Sequence, residues 1–256
     1  MLLAIDVGNS QTVIGVFDGD DLHRHWRIST EAGRTPDEHA LIFQGLLAFA
    51  DLSFSRNVHG VVLSSVVPAV TEALREMTEG YFHFPPVVVE PGIRTGIALR
   101  YENPREIGPD RIVNAVAAAE LYGAPAIVVD FGTSTNFDVV GADGDFVGGV
   151  IAPGVQTSME ALVSRAARLP KVEIVRPPSV VGSTTIGAMQ SGIVYGFAGQ
   201  VDALVRRIRD ELGGAATVVA TGGLAAAVLE ASEEVDEHDE WLTLKGLRLI
   251  WERNTR

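Results

Sequence analysis

The chain has 256 residues, no cysteine, and 20 Lys and Arg against 33 Asp and Glu, a formal net charge of −13. The missing thiols exclude disulfides, zinc thiolates, iron–sulfur clusters and cysteine nucleophiles together, and so acidic a chain repels phosphate backbones, which disfavours general nucleic-acid binding. The 46% hydrophobic and 21% charged content is that of a globular chain, and at roughly 150 residues per domain the length predicts one to two domains. Apolar runs such as Ala126–Val129 and Gly60–Leu63 fall far short of the roughly 20 residues of a membrane span, so no membrane association is expected. The start, MLLAIDVGNS, lacks a basic n-region and is not read as a signal peptide; together with the lack of cysteine it predicts a cytoplasmic protein.

In chain order, Leu2–Ile5, Thr12–Phe17 and Leu22–Ile28 read as three closely joined strands, an antiparallel meander turning at Val7-Gly8-Asn9-Ser10 and at Asp18-Gly19-Asp20. Thr35-Pro36-Asp37-Glu38 is a capping box with proline at the first helical position, and it announces a helix through His39–Ala50. Val61–Val67 is a predicted strand, Pro68–Glu79 a helix and Pro86–Glu90 a strand. Gly108-Pro109-Asp110 opens a helix to about Leu121, and Ala126–Asp130 begins a second meander. Helices are expected over Thr157–Arg168, over Thr184–Glu211 (one long or broken helix containing Gly187, Gly192 and Gly196), and over Leu224–Leu229. Thr217–Ala220 is a late strand, Ser232–Glu240 an acidic loop and Leu242–Glu252 a last amphipathic helix.

The most informative pattern is an internal echo. Leu3-Ala4-Ile5-Asp6-Val7-Gly8-Asn9-Ser10 is followed by an apolar strand and Asp18-Gly19-Asp20; Ile127-Val128-Val129-Asp130-Phe131-Gly132-Thr133-Ser134 is followed by an apolar strand and Asp143-Gly144-Asp145. Asp6 pairs with Asp130, Gly8 with Gly132 and Ser10 with Ser134, and the spacing from Asp6 to Gly19 is 13 where that from Asp130 to Gly144 is 14. Such a repeat suggests duplicated halves, each with its own sheet, facing one another across a cleft; the alternative is chance likeness between two hairpins.

In such a turn glycine permits a sharp bend and close ligand approach, and successive N–H groups converge into an anion nest. A strand-end aspartate can hold a hydrated Mg²⁺ that neutralises a polyphosphate. Neither a Walker loop nor a dinucleotide fingerprint is present, since both lead glycines straight into a helix.

Asp6-Val7-Gly8-Asn9-Ser10, Gly108-Pro109-Asp110-Arg111, Asp130-Phe131-Gly132-Thr133, Gly148-Gly149-Val150-Ile151-Ala152-Pro153-Gly154 and Ala220-Thr221-Gly222-Gly223, in that order, resemble the type III pantothenate kinases, members of the acetate kinase/sugar kinase/heat-shock/actin superfamily. Met189-Gln190-Ser191-Gly192 and Leu242-Thr243-Leu244-Lys245-Gly246-Leu247 add to a resemblance that spans essentially the whole chain. It implies an α/β, duplicated ribonuclease-H-like (actin-like ATPase) fold: two mixed sheets flanked by helices with a central cleft, divided as 1–112 and 113–256. The activity it implies is ATP-dependent phosphorylation of pantothenate to 4'-phosphopantothenate, the first step of coenzyme A synthesis, by a homodimer with pantothenate near the subunit interface.

Carried over residue by residue, the resemblance makes Asp6, Val7, Gly8, Asn9, Ser10, Gln11, Thr12 and Val13 a first phosphate loop, with Asp6 at Mg²⁺ through water, and brings Thr133 to ATP from a second. Gly222 and Gly223 would let adenine lie against backbone, or simply make a strand-to-helix turn. Asp110 is the expected general base; its place in a first helical turn also complements the helix dipole, which should lower its pKa. Arg111 would bind the pantothenate carboxylate or pair with a neighbouring acid, within a substrate motif shared with Gly108 and Pro109. Asp130 would help hold a monovalent cation (K⁺ or NH₄⁺), or act as a second magnesium-associated carboxylate. Tyr101 and Thr185 match pantothenate contacts, or else are a packed aromatic and a helix N-cap. His23 and His25 read as solvent-facing, and Trp26, Trp241 and Trp251 as packing or interface residues. The chain departs from the family at Asn136, Phe137 and Ser183, where a small residue or threonine, a cysteine and a lysine are commoner. The competing readings are another small-molecule kinase or a phosphatase of the same fold, and a non-catalytic nucleotide-binding regulator.

Overall fold

The computed structural model describes residues 1–223 and 225–255. Contacts gather into two units, the first made of Met1–Gly96, Asn103–Ala117 and the segment from Thr243 onward, the second of Ile97–Glu102 and Ala118–Leu242. The expected boundary at 112/113 thus falls inside a helix, Pro109–Leu121 (α4).

In the first unit, β1 (Leu2–Val7), β2 (Gln11–Asp18) and β3 (Asp21–Ser29) form the expected meander, and β4 (Gly60–Ser65) and β5 (Val87–Val88) complete a sheet of order β3-β2-β1-β4-β5. β1 runs antiparallel to β2 and parallel to β4. α1 (Pro36–Ala48) begins on the predicted capping box: the Glu38 N–H donates to Thr35 Oγ1 at 3.3 Å and the Thr35 N–H to Glu38 Oε2 at 2.8 Å, satisfying two donors that a helix start leaves orphaned. A single turn, α2 (Phe54–Asn57), precedes β4, and α3 (Pro68–Met77) follows it, continuing as a wider π turn through Phe82. Leu3, Ile5, Val61 and Leu63 pack with Phe43 and Leu47 of α1 and with Val70, Leu74 and Met77 of α3 in one apolar core. The last helix, α8 (Leu242–Thr255), also packs on this sheet. A Cβ on Gly15 would stand 2.7 Å from Leu244 Cδ1, and one on Gly60 would stand 2.6 Å from the Trp251 ring, so two glycines make the room into which those side chains fit.

The second unit repeats the plan. β6 (Ala126–Phe131), β7 (Ser134–Val140) and β8 (Phe146–Pro153) form the second meander; β9 (Thr217–Thr221) and the two-residue β10 (Glu237–His238) extend it in the order β10-β9-β6-β7-β8. β6 is antiparallel to β7 and parallel to β9. Read outward from the central strand, the two sheets have the same order and the same strand senses, which is the duplicated ribonuclease-H-like arrangement. β10 lies within the stretch expected to be an acidic loop; a strand of two residues takes its structure from pairing with β9, and its own residues do not announce it.

α5 (Val155–Arg165), α6 (Thr185–Leu212) and α7 (Ala225–Leu229) complete the unit. Leu224, where the last of these was expected to begin, lies outside the described residues. α6 is one unbroken helix of 28 residues. Met189, Ile193, Val201 and Val205 of α6 cover Ile127, Val129, Phe137 and Val218 of the sheet. Phe137, one of the departures from the family, is fully buried in this core.

Candidate active site

β1 and β6 share one burial pattern along their six residues, buried throughout except at the fifth, which is Asp6 in one and Asp130 in the other. A central strand covered on both faces reads as an apolar run, and in each sheet the aspartate interrupts that run near the strand's C-terminal end. In register beside Asp6 on the parallel neighbour is Ser64, wholly buried, whose hydroxyl donates to Asp6 Oδ1 at 3.1 Å. In register beside Asp130 is Thr221, also buried. Ser64 belongs to no motif read from the sequence, and Thr221 stands in Ala220-Thr221-Gly222-Gly223 without a role of its own there. What connects Ser64 to Asp6 is strand register across 58 positions of chain.

The turns after the two aspartates differ by one residue. Val7 pairs with Thr12, with residues 8–11 between those two positions, whereas Phe131 pairs with Thr135, with 132–134 between. In the first turn the Gly8 N–H donates to the Gln11 carbonyl at 3.0 Å. Thr30 braces this turn, its hydroxyl donating to the Gly8 carbonyl at 2.8 Å and its N–H to the Ser10 carbonyl at 3.0 Å. In the second turn the Gly132 N–H donates to the Ser134 carbonyl at 2.9 Å. Both glycine N–H groups are thus engaged in closing their own turns. Neither glycine sits at positive φ. Gly8 is instead favoured by space, since a Cβ there would lie 3.2 Å from the Gln11 carbonyl. Asn9, Ser10 and Gln11 are exposed at the first tip, Thr12 is buried behind it, and Gly132 and Thr133 are exposed at the second.

Behind Thr133 stands the start of α5. The Thr133 carbonyl accepts from the Gly154 N–H at 3.2 Å and from Thr157 Oγ1 at 2.8 Å. Gly222 follows β9 at φ +96°, and a Cβ on it would lie 2.6 Å from the Phe131 carbonyl oxygen and 2.8 Å from Asp130 Oδ1. Both its conformation and its neighbours therefore require glycine. Gly223 beside it is exposed.

In the first unit, Gly108-Pro109-Asp110-Arg111 opens α4, with the Arg111 N–H donating to Asp110 Oδ1 at 3.0 Å. A Cβ on Gly108 would lie 2.5 Å from that same oxygen. Burial pushes the Asp110 carboxyl above its ordinary pKa, against the opposing pull of the Arg111 N–H and guanidinium. This corrects the expectation that the helix dipole would lower it. Arg111 is itself buried.

Tyr101 belongs to the second unit, in a segment that runs along β8, the Arg100 N–H donating to the Phe146 carbonyl and the Phe146 N–H to the Ala98 carbonyl, and its ring lies 6.2 Å from that of Phe146. Thr185 is the first residue of α6, but the cap is Thr184, whose hydroxyl accepts from the Gly187 N–H at 3.1 Å. Thr185 instead lines a cavity of about 560 Å³ between α5 and α6, with Met159, Leu162, Met189 and Gly192. His23 and His25 are exposed, and Trp251 packs against Gly60, while Trp26 lies against the first core.

Among the described residues no three His, Asp or Glu side chains gather as a metal cage. A hydrated magnesium does not need one, because it binds through one or two carboxylates and the substrate's phosphates, and Asp6 suits that pattern.

The sequence profile described as type III pantothenate kinase matches residues 2–207. The chain belongs to the type III pantothenate kinase family. A relative of that name from Streptomyces avermitilis is 55% identical, covering 99% of this chain and 98% of its own. Another, from Moorella thermoacetica, is 51% identical with full coverage of both. Among solved structures, the activator of the 2-hydroxyisocaproyl-CoA dehydratase from Clostridium difficile with bound ADPNP has a TM-score of 0.57 at 14% identity, covering 98% and 96% of the two chains. The ethanolamine utilization protein EutJ from Carboxydothermus hydrogenoformans has a TM-score of 0.56 at 15% identity, covering 97% and 89%. At such identities these two speak to the fold alone, and they share the duplicated architecture.

Proposed function

We propose that Asp110 is the base in the ATP-dependent phosphorylation of pantothenate, the activity that family membership gives the chain. The observation that carries the assignment is the carboxyl's setting: held at the head of α4, partly desolvated, and raised in pKa towards the range in which it can accept a proton. It takes the proton of pantothenate's primary hydroxyl as that oxygen attacks the γ-phosphorus; the bond to the β,γ-bridging oxygen breaks and ADP leaves. In phosphoryl transfer, positioning and charge neutralisation dominate, so aiming the hydroxyl matters as much as basicity. Arg111 takes the pantothenate carboxylate, with Gly108, Pro109, Tyr101 and Thr185 completing the substrate contacts. Asp6 to Val13 and Thr133 hold the phosphates from two turns, and Gly222 and Gly223 leave room for adenine.

Asp6 would hold magnesium through water and Asp130 a monovalent cation, potassium or ammonium. When bound, these cations neutralise the charge that accumulates on the phosphates. The repeated placement of the two aspartates at the ends of equivalent strands supports this pairing of roles. Residues 1–112 and 113–256 are the duplicated halves, with α8 packing on the first sheet. A homodimer is supported by the exposed Ile151, Val180, Val181 and Ile186 in the second unit, and by Gly192 and Gly196 of α6, which face open space. A cytoplasmic location fits the absence, among the described residues, of any helix long and apolar enough to cross a membrane.

A coupled ADP-release assay tests the reading. ADP should appear only when pantothenate is present, and faster with potassium. Release without pantothenate would indicate a phosphatase or another kinase, and ATP binding without turnover under every cation condition would indicate a regulator.

A further inference from the structure

We infer that Thr157 is a positioning residue for the nucleotide, acting through the carbonyl of Thr133. This rests on the reading that the β6–β7 turn contacts ATP. The turn is short, and its tip residue is exposed, so something outside it must hold its peptide groups in one orientation. Within the turn the Gly132 N–H to Ser134 carbonyl bond does part of this. A further restraint comes from the start of α5, which β8 delivers through Pro153-Gly154.

Gly154, the N-cap, has no side chain with which to cap the helix. Its N–H points instead at the Thr133 carbonyl, and Thr157, in the third helical position, adds its hydroxyl to the same oxygen at 2.8 Å. The two donors match the two lone pairs of a carbonyl oxygen. A peptide unit is planar, so pinning this carbonyl fixes the plane between Thr133 and Ser134 and, with it, the direction in which the Thr133 side chain leaves the turn. Gly154 stands so close that a Cβ would lie 2.6 Å from the Gly132 carbonyl oxygen and closer still to that of Thr133; the turn and the helix start are fitted to each other. Thr157 is exposed, so its hydroxyl is not required for core packing.

The test compares Thr157→Val, which keeps the shape and loses the hydroxyl, with Thr157→Ser, which keeps the hydroxyl, and with Thr133→Ala. Steady-state kinetics for both substrates are run alongside the dissociation constant of a non-hydrolysable ATP analogue and the thermal midpoint. Thr157→Val should raise the ATP KM and the analogue's dissociation constant roughly 3- to 10-fold, the usual effect of one lost hydrogen bond. The pantothenate KM and the midpoint should stay near wild type, and Thr157→Ser should restore ATP affinity. An unchanged ATP KM in Thr157→Val, equal rises for both substrates, or failure of serine to rescue would overturn the inference. If Thr133→Ala weakens ATP binding while Thr157→Val is silent, only the role of Thr157 falls. If Thr133→Ala is itself silent, the turn leaves the nucleotide site and the inference goes with it.

Discussion

Replacing Gly154 by alanine tests how closely the second turn is fitted to the helix behind it. At φ −71° and ψ 158° the backbone at Gly154 is one that any residue adopts, so alanine meets no conformational penalty there and its effect is purely steric. The new methyl group would lie 2.6 Å from the Gly132 carbonyl oxygen and closer still to that of Thr133, where ordinary contact begins at 3.4 Å, so the turn must retreat by more than about 0.8 Å or the helix start must shift. Overpacking of this kind costs about 1–3 kcal/mol of stability. A displacement approaching 1 Å beside reacting groups can cost about 10²-fold in rate. The expected outcome is a folded protein with a lowered midpoint and a fall of tens-fold or more in kcat/KM for ATP. Gly45→Ala is the control: it lies inside α1 with nothing near its would-be Cβ, and it should raise stability by about 1 kcal/mol without touching kinetics. If Gly154→Ala behaves like Gly45→Ala, with kcat/KM for ATP within twofold of wild type, then the turn is not braced from α5 and the reasoning fails.

Asp110→Asn should keep nucleotide binding while turnover falls about 10²- to 10⁴-fold. Because burial raises the Asp110 pKa, the acid limb of the wild-type kcat/KM for pantothenate should lie above the ordinary aspartate value; a limb that persists in the residual activity of Asp110→Asn would assign it elsewhere. Asp130→Ala should blunt activation by potassium measured in the same assay, and an unaltered potassium response would reassign that carboxylate. His39 is buried in α1 with no hydrogen-bond partner on either ring nitrogen, and burial lowers its pKa from 6.5 to about 4. The folded state thus resists protonation, so the stability it contributes is complete above pH 6.5 and is lost as pH falls toward 4, amounting to about 1.4 kcal/mol between pH 8 and 5.5; urea titrations should show that His39→Leu lacks this loss, and equal slopes in the two proteins would refute it.

The parts of the fold that could be read in advance were those specified by neighbouring residues. The capping box at Thr35–Glu38 marks the start of α1 because its two bonds span only three positions. The echo between β1 and β6 showed because a strand buried on both faces must be written as an apolar run, and an aspartate in that run stands out. The two-residue edge strand β10 gave no warning because its order comes from the strand beside it, whereas β5, equally short, lies within the strand expected at Pro86–Glu90. The candidate site divides along the same line. Asp6, Asp110 and Asp130 sit in recognisable motifs, whereas Ser64, Thr30 and Thr157 are ordinary hydroxyl residues brought to the two turns by register and helix placement. The pKa of Asp110 was misjudged for the same reason: the local helix dipole is written in the sequence, but the burial that outweighs it is assembled by the fold.

The packing of α8 on the first sheet bears on the order in which the molecule can be completed. Leu244 and Trp251 fill spaces left by Gly15 and Gly60, and Asn254 bonds the backbone of Arg94 at 3.1 and 2.9 Å. A ribosome moving at roughly 5–20 residues per second will have synthesised every strand of the later sheet before those side chains exist. The half that is synthesised first therefore waits, one face uncovered, for the final helix to emerge, and during that interval it is the part of the nascent chain most open to aggregation or chaperone capture.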